Sequence, residues 1–229
     1  MVILAGGNMK VIYEDNQIIV VDKDANIPIQ EDASHDKDLL NEVKAYIKQK
    51  YNKPGNVYLG LVQRLDRPVS GVCVLARTSK AASRLSEIIR ENKLKKQYIA
   101  VIDGKIEKDE DTFIDYLLKD SKTNTVKVDK RGKKSILSYK LLETKNNKSL
   151  VLINLITGRP HQIRVQFSSR NYPIYGDHRY NKNVKDNSQI ALHSYLISFN
   201  HPTLKKEVTF TSLPKREPFN NFELNSFLK

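Results

Sequence analysis

The chain has 229 residues, enough for a proper hydrophobic core in one large domain or two small ones. Thirty-nine lysines and arginines stand against 26 aspartates and glutamates, a formal charge of +13, so the expected partner is a polyanion. No apolar run approaches the ~20 residues of a membrane span, which favours nucleic acid over an anionic bilayer.

The opening MVILAGGNMK lacks a basic region and its apolar stretch is too short for a secretory signal. Met9 offers a second start, so residues 1–8 are expected to be an extension without a role, and 9–229 one domain. Val11–Asp22 reads as two strands around a turn at Glu14–Gln17. Lys23–Asp38, polar with Pro28, reads as a loop. Asp38–Tyr51 places Leu39, Leu40, Val43 and Ile47 on one helical face, with Asp36 or Asp38 as cap. Pro54 and Gly55 break that helix.

Gly60–Thr78, GLVQRLDRPVSGVCVLART, follows. Its β-branched run Val72–Ala76 predicts a strand buried on both faces. Pro68 makes the preceding charged knot a loop. Asp66 is therefore a carboxylate on a tight turn, flanked by Arg64 and Arg67. Cys73, within the strand, is the single cysteine, which fits a reduced, cytoplasmic compartment.

Ser79–Asn92 carries Ala81, Ala82, Leu85, Ile88 and Ile89 at helical spacing behind a Thr78 or Ser79 cap. Lys95–Gly104 predicts a strand. Asp103–Lys134 is weakly patterned, with a strand at Thr125–Asp129 and a basic loop at Lys130–Lys134. Ser135–Thr144 and Leu150–Ile156 flank a turn and predict a hairpin. Pro160 suits the first turn of a helix on which Ile163 and Phe167 share a face beside Arg164. Ala191–Phe199 and Glu207–Thr211 predict two further strands. The fold class is α+β, a largely antiparallel mixed sheet flanked by helices.

Taken singly, the chemical residues are unremarkable. An aspartate between arginines is most often a surface ion pair. A strand tyrosine such as Tyr98 usually packs in a core, and a helical arginine such as Arg164 is usually solvated. Their motifs change the reading. RLDRPVSGVCVLART resembles the RLD-x-x-x-SG-hydrophobic-AR signature of the RluA-type pseudouridine synthases. KKQYIAVIDG resembles that family's second motif, and GRPHQIRVQF its GR-x-HQIR motif. Ile174–Tyr180 and His193–Pro202 resemble two more segments, taken as structural walls of a pocket. The motifs stand in family order over residues 11–211.

The resemblance implies the pseudouridine synthase fold. It also implies isomerisation of specific uridines in structured RNA, ribosomal or transfer, with Asp66 as nucleophile. Tyr98 would lie against the uracil as candidate base, and Arg164 would pair with the catalytic carboxylate. Arg64 would help extrude the nucleotide, and Arg67, Arg159 and His161 would contact RNA. The product is an isomer, so no cofactor is expected. The five histidines lack metal-ligand spacing, so no metal is expected either. A monomer without membrane attachment completes the expectation.

Three departures from the family pattern bear on RNA selection. Gln63 replaces its usual histidine, Asp22–Asn26 lacks the proline and glycine of its early loop, and no leading S4 RNA-binding domain is expected. One rival is a non-catalytic RNA-binding protein on the same fold, which would not need a carboxylate beside phosphates. The other is a carboxylate-dependent hydrolase, which wants a second acid at a set distance.

Overall fold

The computed structural model describes residues 9–228; the extension expected at residues 1–8 lies outside them. In chain order the elements begin with β1 (Met9–Glu14), β2 (Ile18–Lys23), α1 (Leu39–Lys50), β3 (Gly60–Leu61), β4 (Ser70–Ala76) and α2 (Ser79–Arg90). They continue with β5 (Lys95–Asp103), β6 (Glu110–Asp120), β7 (Thr125–Val128), β8 (Lys133–Lys145), β9 (Lys148–Leu155) and α3 (Gln162–Ser168). β10 (Leu192–Asn200), β11 (Glu207–Thr211), a single 3-10 turn (Phe219–Asn221) and α4 (Leu224–Phe227) close the chain.

Two compact units form. The first is the chain up to Leu94 with Leu196–Ser212, and the second is Lys95–Tyr195 with the chain from Leu213. In the first unit β1, β2 and β4 pair antiparallel in that order, and β3 adds to β4. The end of β10 pairs antiparallel with β11. Every residue of β4 is buried, as its unbroken apolar run requires. Ile18, Val20, Val72, Val74 and Ala76 pack with Ala81 and Leu85 of α2 and with Ile197, Phe199 and Phe210. Each helix of this unit starts on a side-chain cap. Asp38 Oδ1 accepts from Asn41 N at 3.0 Å and Thr78 Oγ1 from Ala81 N at 3.1 Å.

In the second unit the antiparallel order is β5-β9-β8-β6-β7. Asn146 and Asn147 both take positive φ at the tip of the β8–β9 hairpin, the twist that short hairpins favour. Two differences from the sequence reading stand out here. β6 runs for eleven residues through a segment with no expected strand before Thr125. Ile114 and Tyr116 lie exposed on it, which erases the inside–outside alternation. Pro160 lies ahead of the first helical residue of α3, and His161 is the cap, at φ 51°.

Candidate active site

Asp66 lies on the connection between β3 and β4. Leu65 and Val69 on either side are buried, and the Val69 N–H donates to the Asp66 carbonyl at 3.0 Å, closing a turn over Arg67-Pro68. Asp66 is half-buried and Arg64 is exposed. Gln63 is buried, and neither its amide nitrogen nor its amide oxygen has a hydrogen-bond partner among the described residues.

This turn is bolted from beneath by Lys23, at the end of β2. Its Nζ donates to the carbonyls of Asp24 (2.9 Å), Ile27 (2.9 Å) and Arg67 (3.1 Å). An ammonium has three hydrogens to give, and all are used. Lys23 is wholly buried. Burial pulls its pKa down to about 8, against the charges of Asp24 and Asp66, which favour the cation. The Cys73 thiol itself is pushed up to about 12 by burial, which leaves it inert. Arg67 turns toward the loop after β2. Its guanidinium bonds the Asn26 carbonyl (3.2 Å), Ser34 Oγ (2.9 Å) and Asp36, with Asp32 at 3.5 Å.

In the second unit, Tyr98 is buried on β5, opposite Ile153 of β9. α3 is pinned by Gln162, whose Nε2 donates to Ile136 O (3.1 Å) while its Oε1 accepts from Arg159 N (3.0 Å) and Thr157 Oγ1 (2.8 Å). One residue beyond Ile163, Arg164 meets Asp177 in a two-point fork, Nε to Oδ2 at 2.8 Å and Nη2 to Oδ1 at 2.7 Å. Asp177 Oδ1 also accepts the backbone N–H of Arg179 (3.1 Å) and Tyr180 (3.3 Å). The Arg164 guanidinium lies 5.2 Å from the Tyr180 ring centre. The Tyr180 hydroxyl accepts from Val126 N at 2.9 Å and meets His161 Nδ1 at 2.7 Å. Burial raises the pKa of that phenol, so it stays protonated at neutral pH. Arg159 is exposed and gives its Nε to Lys134 O at 3.1 Å.

Residues 17–169 match the family model described as RNA pseudouridylate synthase. The chain belongs to the RNA pseudouridylate synthase family. A ribosomal large subunit pseudouridine synthase C from Buchnera aphidicola subsp. Baizongia pistaciae is 32% identical over 216 residues, spanning 90% of this chain and 67% of that protein. A ribosomal large subunit pseudouridine synthase D from Zymomonas mobilis is 30% identical over 217 residues, spanning 88% and 68%. The fold agrees. A structure titled Human RNA Pseudouridylate Synthase Domain Containing 4 superposes with a TM-score of 0.74 at 20% identity, over 90% of this chain and 88% of that one.

Within this family member, Arg64, Asp66 and Arg67 share one turn of the first unit. His161 and Arg164 share one network of the second, with Arg159 at its edge and Tyr98 on β5. Sequence reasoning passed over three members of these assemblies. Lys23 looked like an ordinary loop lysine, although its place in the family's early loop motif was a signal. Asp177 and Tyr180 belong to the Ile174–Tyr180 segment expected as pocket wall; Asp177 holds Arg164 in the fork and the Tyr180 ring lies beside the guanidinium. Among the described residues no group of three or more His, Cys, Asp and Glu side chains is arranged to hold a metal. None of their helices is long and apolar enough to cross a membrane.

Proposed function

We propose that this enzyme isomerises specific uridines of structured RNA, ribosomal or transfer, with Asp66 as nucleophile. Asp66 attacks either C1′ of the ribose or C6 of the uracil. The N1–C1′ bond breaks, the uracil turns within the site, and a C5–C1′ bond forms. The proton leaves C5 and N1 gains one, so atoms balance without any redox partner. Tyr98 packs on the base and carries the proton. Arg64 fills the space left by the extruded nucleotide. Arg164 is assigned an electrostatic role in the reaction; a guanidinium has five N–H groups, so the Asp177 fork does not exhaust it.

The observation that carries this reading is the support under Asp66. A wholly buried ammonium is committed to the turn that holds a half-buried carboxylate. Such an investment suits a charged nucleophile better than a surface ion pair. Arg159 and His161 are assigned to RNA contact. Arg67 is assigned first to holding the loop at 26–36, since contact with RNA would require phosphate to replace Asp32 and Asp36. The same reading takes residues 9–229 as one catalytic domain, acting as a monomer in the cytoplasm.

The test is incubation with total RNA and analysis of the nucleosides. Pseudouridine supports the reading. Free uracil would indicate a hydrolase, and neither product, with RNA retained, a binding protein.

A further inference from the structure

Among the described residues many cations sit beside a carboxylate. Lys50 has Glu14, Lys93 has Glu91, Lys108 has Asp111 and Lys127 has Asp129. Lys96 is different. It is half-buried on β5, and among the described residues no side chain or backbone carbonyl bonds or pairs with its ammonium. Burial alone lowers its pKa, with no neighbouring charge to oppose the shift. Its Nζ lies in a notch beside the exposed Gly158; a β-carbon on that glycine would stand 3.2 Å from it.

An ammonium drawn out of water without a partner is costly. Its persistence makes sense when an anion arrives with the substrate. Strand alternation places Lys96 on the same face of β5 as Tyr98, about 7 Å along the strand. Gly158 and the exposed Arg159 belong to the loop leading into α3. We propose that Lys96, in the notch beside Gly158, binds one phosphodiester of the substrate RNA close to the target uridine, thereby setting the position of that nucleotide against Tyr98. The proposal rests on the isomerase reading above. It adds a substrate contact distinct from Asp66, Tyr98, Arg164 and Arg64.

The experiment uses the full chain and a short RNA that it modifies. Lys96→Gln is expected to fold with a melting temperature equal to or above the parent's, because a desolvated charge is gone. Its RNA affinity at moderate salt should fall several-fold. The slope of log K against log salt should flatten by one phosphate's share, about 0.7–0.9. Single methylphosphonates are then walked through the phosphates around the target. In the parent, one position should reproduce the loss; in Lys96→Gln, neutralising that phosphate should cost nothing further. Gly158→Ala keeps the charge but crowds the notch, and should weaken the dependence on the same phosphate. Asp66→Asn serves as control. If the parent makes no pseudouridine on any RNA offered, the isomerase reading itself fails; if Asp66→Asn still makes it, only the nucleophile assignment falls. If the parent is active while Lys96→Gln keeps the parental salt slope and every methylphosphonate penalty, the phosphate contact alone is overturned.

Discussion

Arg164 and Asp177 form a closed fork with both side chains out of water: the Asp177 side chain has 0% of its surface exposed and that of Arg164 7%. Two parallel charge-assisted bonds fix the guanidinium plane as well as its position. Breaking one half of such a pair leaves a buried, uncompensated charge, which typically costs about 3–5 kcal/mol. Asp177→Asn keeps the shape and removes the charge. It should lose about 3 kcal/mol or more in chemical denaturation, and single-turnover isomerisation should slow by at least tenfold. Combining it with Arg164→Met should cost far less than the sum of the single losses. Additive losses would mean that the fork is not an energetic unit.

Lys23 makes stability depend on pH in a defined window. Its pKa is about 8 in the fold and ordinarily 10.5. Between those values the unfolded chain holds a proton that the folded chain has released, so this group makes stability rise with pH there. Below about pH 8 the full penalty of burying the ammonium applies. Lys23→Met removes the group. The stability of that variant, measured relative to the parent, should therefore decline as pH is raised from 8 toward 10.5 and be level below 8. A difference that does not change across that window would show that Lys23 is not a depressed, buried lysine.

Asp66→Asn is nearly isosteric on a turn closed through the backbone, Val69 N to Asp66 O. Folding and RNA binding should stay near parental, with isomerisation undetectable. Pseudouridine formed by that variant, under conditions where the parent is active, would remove Asp66 from the nucleophile role.

The parts legible in the sequence were those governed by local rules. The buried run Val72–Ala76, the caps Asp38 and Thr78, and the two-asparagine hairpin tip each announce themselves within a few residues. β6 did not, because Ile114 and Tyr116 face outward beside inward Phe113 and Leu117. The partnership of Arg164 with Asp177 spans a helix and a turn, and no periodicity encodes it. Lys23 illustrates the limit most clearly. Apart from its place in the family's early loop motif, no local pattern separates a lysine whose three hydrogens meet backbone carbonyls from one in solvent. The two units were also invisible, because the chain passes between them at residues 94–95, 195–196 and 212–213 without any linker composition.

Tyr98 is buried, and its ring and hydroxyl can be tested separately. If the hydroxyl carries the proton between carbon and nitrogen of the uracil, Tyr98→Phe keeps the ring and removes only that function. Stacking of a base on an aromatic face is worth ~1–3 kcal/mol, so Phe should preserve RNA affinity while Leu should weaken it. Positioned proton transfer typically contributes ~10²–10⁴-fold, and Phe should lose turnover on about that scale. Single-turnover reactions exclude product release from the comparison. The Phe variant should also keep the parental salt dependence of binding, since no cation has changed. If it turns over within a few-fold of the parent, the tyrosine is a stacking platform, and the proton travels through another group or through water.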